Sequence, residues 1–83
     1  MNNNNTNINH ATLNLYNIFL TVAQTMNLSV ASKRLFISQP AISKAVKQLE
    51  NELGTTLFFR NSRGVQLTED GELLYSHIFN AFN

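Results

Sequence analysis

The 83-residue chain has no cysteine. That excludes a disulfide framework, a thiol nucleophile and any zinc site built on thiolates. Its two histidines, His10 and His77, are far apart and lack ligand-spaced partners, so no metal site is expected. Glycine is scarce: Gly54, Gly64 and Gly71 are scattered, and no glycine-rich phosphate loop exists. No nucleophile–base arrangement is visible, so an enzyme is not expected. No apolar run approaches the roughly 18 residues of a membrane span. The N-terminus is polar and unlike a signal peptide, which makes a cytoplasmic location the expectation.

Positive charge is missing from both ends of the chain. All six basic residues, Lys33, Arg34, Lys44, Lys47, Arg60 and Arg63, fall in one block. That block holds two acids, Glu50 and Glu52, so six bases against two acids leave a local charge of +4 where the whole chain has +1. Glu69, Asp70 and Glu72 follow as a separate acidic cluster. Charge alone leaves two readings open, a solvated mixed-charge surface or a face that binds a polyanion.

The remaining residues suffice for a modest core. Hydrophobic residues make up 43% of the chain, with six Phe and two Tyr, too many for a wholly disordered chain. Residues 1–12, MNNNNTNINHAT, offer no packing face and read as a disordered Asn-rich arm. From Leu13 to Met26, apolar residues Leu15, Ile18, Phe19, Val22 and Met26 recur at steps of three and four, predicting an amphipathic helix. Ser29 is a candidate cap for a short helix, Val30 to Phe36, whose Ala31 and Leu35 face the core. After Ile37 and Ser38 a longer helix begins, capped by Ser38 or Gln39, with Pro40 in its first turn and Gly54 at its end. Two short strands follow, Leu57–Arg60 and Val65–Leu67, joined by Asn-Ser-Arg-Gly. Thr68 then caps a last helix with Glu69 and Asp70 in its first turn. Its apolar stripe contains Leu73, Leu74, Ile78, Ala81 and Phe82.

A short helix, a tight turn and a longer helix make a helix-turn-helix, and the hairpin adds a wing. The predicted fold is mainly α, a winged helix-turn-helix over residues 13–67, with the start of a linker or dimerisation helix over 68–83. One feature of the third helix resists a purely structural account. Lys44 and Lys47 come early and Glu50 and Glu52 late, the reverse of what the helix dipole favours.

From Leu15 through Gly71 the chain resembles the N-terminal DNA-binding domain of LysR-type transcriptional regulators. The likeness rests on Ser38-Gln39-Pro40-Ala41, Ser43-Lys44, Leu49-Glu50, Leu53-Gly54, Leu57-Phe58, Arg60, Arg63-Gly64, Leu67-Thr68 and Gly71. Ser32 and Asp70 stand where alanine is common in that family, and Lys44 where arginine is frequent. Family members usually continue into a sensor domain of two α/β lobes, which this chain does not contain; an isolated domain or a truncated protein is the expectation.

The resemblance implies a bacterial, cytoplasmic regulator that binds double-stranded DNA as a dimer on a partly palindromic operator. The third helix becomes the recognition helix, with its lysine-bearing half in the major groove and its acids where the helix leaves the DNA. Base contacts fall to Gln39, Pro40, Ala41, Ser43 and Lys44. Ser29, Lys33, Arg34, Ser38 and Lys47 are candidates for the DNA backbone, the serines serving otherwise as caps and the cations otherwise as solvated charges. Arg60 and Arg63 would form a wing at the minor groove. Leu74, Ile78, Ala81 and Phe82 would pair with a second copy, making a homodimer through the last helix. No cofactor is implied in this chain, since an inducer would bind the sensor domain, and RNA polymerase is a further candidate partner. The competing reading is a winged helix that binds protein, which would favour acidic or apolar residues on the third helix.

Overall fold

The computed structural model describes residues 10–81, with side chains from 14 to 80. The elements are α1 (His10–Thr25), α2 (Leu28–Leu35), α3 (Gln39–Leu53), β1 (Phe58–Asn61), β2 (Gly64–Leu67) and α4 (Glu69–Ala81). The expected winged helix-turn-helix is present. Residues 1–9 of the predicted arm lie outside the described residues, and α1 begins at His10, three residues ahead of its apolar pattern.

Two boundaries of α2 correct the sequence reading. Its cap is Asn27, not Ser29: Asn27 is extended, and its side chain accepts the Val30 N–H at 2.9 Å. Asn caps as well as Ser, and capping from Asn27 lets Leu28 turn inward. The helix also ends before Phe36, which takes a left-handed conformation with φ 60. The start of α3 is less ambiguous. Ser38 is its cap, accepting the Ala41 N–H at 3.2 Å, and Gly54 ends it with φ 72.

α1 supplies the floor on which the other elements pack. Leu15, Phe19 and Ala23 join Leu49 and Leu57 in one buried cluster. Ile18 and Val22 join Ala31, Ile42 and Val65 in a second. Ala31, fully buried with no side chain beyond its methyl, allows α2 to approach closely. Phe58 bridges the clusters, its ring 5.4 Å from that of Phe19. The hairpin is therefore anchored through Phe58 and Val65, while Phe59 and Arg60 face outward.

The strands pair antiparallel from Phe58↔Leu67 to Asn61↔Gly64. Leu57 lies just outside the ladder because its N–H and C=O are used elsewhere, by Glu50 and by the Thr68 N–H. The turn has Asn61 first and Gly64 fourth, the preferred residues of a type I turn. The Asn61 side chain accepts the Arg63 N–H at 2.8 Å, and Gly64 takes φ 118.

α4 leaves the hairpin across a tight junction. Thr68 donates to the Thr56 carbonyl at 2.6 Å, and its hydroxyl oxygen accepts the Gly71 N–H at 3.0 Å. Gly71 is buried there, and a Cβ on it would lie 2.2 Å from the Leu57 carbonyl oxygen. The contact is with backbone, so the two segments must separate to admit a methyl group. Gly71→Ala is expected to lower unfolding free energy by about 2–3 kcal/mol. A urea titration with an unchanged slope and an earlier midpoint would show it.

Candidate nucleic-acid interface

The N-terminal half of α3 carries a polar outward face. Gln39, Pro40, Ala41, Lys44 and Lys47 are exposed, and Ser43 is half-buried. Their arrangement follows from helical spacing: Ile42 and Leu49 take the inward positions and are buried to 1% or less. The outward residues are left without a role in the core.

The hairpin is brought to the same face. The Arg60 guanidinium donates to the Ser43 hydroxyl at 3.1 Å. Together with Leu28, Ser32, Gln39 and Pro40, these residues line a shallow groove between the helix-turn-helix and β1. Arg60 thus lies beside the recognition helix and one pair below the turn, whereas Arg63 occupies the turn itself.

The electrostatics favour an anion. All six basic side chains are exposed. Among the described residues, no hydrogen bond or ion pair engages the side chains of Lys33, Arg34, Lys44, Lys47 or Arg63. The two acids of the block do not neutralise them, since Glu52 accepts from Gln48 and Glu50 is turned toward the hairpin.

Glu50 is the functional residue that sequence reasoning missed. One of its carboxylate oxygens accepts the N–H of Leu57 at 2.7 Å and of Phe58 at 3.3 Å. An acid late in a helix costs a few tenths of a kcal/mol or more against the dipole. Charge-assisted hydrogen bonds are worth about 1.5–3 kcal/mol each, so the bonds win. The late acid therefore fastens the base of the hairpin to α3, which gives its position a structural reason. Its place in the Leu49-Glu50 pair was the available signal.

Two departures from the family pattern also make specific bonds. The Ser32 hydroxyl donates to the Ile37 carbonyl at 2.5 Å, closing the turn before α3. Thr55 donates to the Asp70 carboxylate, tying the α3–β1 connection to α4. Ser29 is exposed in the first turn of α2, and Ser38 is exposed as the cap of α3.

The last helix divides the predicted dimer residues. Leu74 and Ile78 are half-buried against the Leu15–Phe19 cluster of their own chain. The Ala81 side chain and all of Phe82 lie outside the described residues. Leu74 and Ile78 stand one helical turn apart on one face of α4, and this chain's own core uses that face. Among the described residues of α4 the exposed large apolar side chains are Leu73 at 57% and Phe79 at 51%, on different flanks, with Phe79 stacked on Tyr75 at 6.0 Å. Among the described residues, no helix is long and apolar enough to cross a membrane, and no acid–histidine group could hold a metal.

Residues 13–72 match the family described as bacterial regulatory helix-turn-helix protein, lysR family. The HTH-type transcriptional regulator BudR of Klebsiella aerogenes is 51% identical over 57 residues, which is 69% of this chain and 40% of BudR. XapR of Escherichia coli (strain K12), another HTH-type transcriptional regulator, is 48% identical over 62 residues, 75% of this chain and 21% of XapR. The chain thus spans well under half the length of either relative. Among solved structures, the CbnR_DBD–DNA complex aligns with a TM-score of 0.76 at 33% identity, covering 83% of this chain and 79% of that one. The BenM_DBD/benA site 1 DNA complex aligns with a TM-score of 0.77 at 31% identity, covering 84% and 81%.

If Glu50 fixes the wing, Glu50→Ala should cost about 2–3 kcal/mol of stability by orphaning two backbone amides. Glu50→Gln, which keeps an acceptor oxygen, should recover part of that. Amide exchange at Leu57 and Phe58 should accelerate most in Glu50→Ala, read by hydrogen-exchange NMR.

Proposed function

Because the chain belongs to the LysR family of bacterial helix-turn-helix regulators, we propose that it binds double-stranded DNA sequence-specifically, with α3 in the major groove and the hairpin at the minor groove. One observation carries this reading most directly. Lys44 and Lys47, exposed and without a side-chain partner among the described residues, stand on the same half of α3 as Gln39, Pro40, Ala41 and Ser43. Lys47, Lys33, Arg34 and Arg63 can meet phosphates, with Ser29 and Ser38 beside them at helix starts. Gln39 suits adenine, Lys44 suits guanine, and Pro40 with Ala41 suits a thymine methyl group. Arg60 links the two readers through Ser43. The proposal is for a binding module of a cytoplasmic regulator, not an enzyme.

We propose further that two copies act together on a partly palindromic site, meeting along the last helix beyond the turns its own core uses. The exposure of Leu73 and Phe79 supports an additional apolar contact there. Inducer binding and any contact with RNA polymerase belong to the whole regulator. The operator is to be sought by enrichment from a randomised duplex pool.

Each monomer should neutralise about four to six phosphates, so log K against log salt should fall with a slope of about −7 to −11 for a dimer. Affinity that is flat with salt would instead favour a protein partner. Gln39→Ala and Ser43→Ala should each cost about 1–3 kcal/mol on the enriched duplex and little on random DNA, while Lys47→Ala weakens both alike. Sedimentation at several concentrations should show a monomer–dimer mixture that Leu73→Asp shifts toward monomer without unfolding it. A wild-type chain monomeric at every concentration, and bound to DNA singly, would sink the dimer.

A further inference from the structure

α2 and α3 end with the same backbone device but place different residues in it. At the end of α3, Gly54 has φ 72, and the N–H groups of Gly54 and Thr55 both return to the Glu50 carbonyl. At the end of α2, Phe36 has φ 60, and the N–H groups of Phe36 and Ile37 both return to the Ser32 carbonyl. The left-handed region is free to glycine and costly to a residue with a bulky side chain. Strain of this kind persists where its surroundings over-determine it, and it gathers at functional sites. Here the Ser32 hydroxyl, bonded to the Ile37 carbonyl, closes the loop around Phe36.

Burial does not offset that cost. Phe36 is 92% exposed, the most exposed large apolar residue among those described. Met26 also has a positive φ, but it is 37% exposed and lies beside Gly64 and Val65 of the hairpin. Phe36 has no comparable cover. A ring that strains its own turn and joins no core has its use outside the molecule.

The surroundings indicate what meets it. Exposed Lys33 and Arg34 precede Phe36, and exposed Ser38, Gln39 and Pro40 follow it. From Asn27 through Leu49 there is no acidic residue. A cationic, acid-free surface with one projecting aromatic ring complements a polyanion that also offers apolar edges, and duplex DNA offers deoxyribose and thymine methyl groups between its phosphates. We propose that Phe36 is a DNA-contacting residue, its ring packing on the apolar sugar or methyl edge at the border of the major groove beside Gln39. The inference rests on the DNA-binding reading above and adds to it an uncharged contact from the turn.

Relief of backbone strain and loss of the ring act with opposite signs in one substitution. Phe36→Gly removes both strain and ring, so its melting temperature should equal or exceed that of the wild type, while its Kd on the enriched duplex rises about 5–30-fold. Phe36→Asn, which also tolerates the left-handed region, should behave alike in stability. Phe36→Tyr, which keeps the ring, should retain affinity within about twofold of wild type. The salt slope should not change in Phe36→Gly, because the ring neutralises no phosphate. If the wild type binds with a steep salt dependence and Phe36→Gly binds equally well, the Phe36 assignment is overturned while the DNA-binding reading stands. A fall in melting temperature in both Phe36→Gly and Phe36→Asn would overturn it too, since the ring would then serve the fold. If the wild type itself shows no salt-dependent duplex binding, both readings fall.

Discussion

The carboxylate of Glu50 is the constraint on which the rest of the surface depends. It sits on the recognition helix and holds the N–H groups of Leu57 and Phe58, where the chain enters the hairpin. Through Phe58 the same segment reaches both apolar clusters. Through the Leu57 carbonyl it reaches the start of α4. One acid thus ties α3 to the hairpin and, through the hairpin, to both apolar clusters and the start of α4. A hairpin of two four-residue strands is marginal alone, and the helix gives it a fixed position.

The outward face follows different rules from the inward one. Inside, each choice agrees with stability: small Ala31 at a close approach, Gly71 against a backbone carbonyl, and aromatic rings in contact. Outside, lysines stand early on α3 against the dipole, five cations lack side-chain partners among the described residues, and Phe36 occupies a strained turn in full solvent. A fold that gives up stability at one surface, and only small amounts at each place, has that surface available for a partner. The Arg60–Ser43 bond joins α3 and the hairpin at that surface.

Most of the architecture was legible from local pattern. Apolar steps of three and four marked α1 and α3, Pro40 and Gly54 bounded the recognition helix, and Asn61 with Gly64 marked the turn. Misreadings came where two residues compete for one local role or where the deciding contact is distant in sequence. Asn27 and Ser29 are both good caps, and only the inward turn of Leu28 chooses between them. Phe36 reads as one more apolar residue of a helix, because nothing in periodicity announces a left-handed backbone. Glu50 reads as a solvated charge, because its partners lie seven and eight residues on, past the helix end. The stripe of α4 was visible, yet the share of it taken by this chain's own core depends on packing.

The claim that α3 and the hairpin form one DNA-facing surface is tested most directly by mapping the surface itself. Amide chemical shifts of the labelled chain would be followed during titration with an enriched duplex. The account predicts the largest changes from Ser38 to Lys47 and from Arg60 to Gly64, moving together with one binding curve, while the buried face of α1 stays still. Changes confined to α4, or a hairpin that does not respond when α3 does, would contradict it.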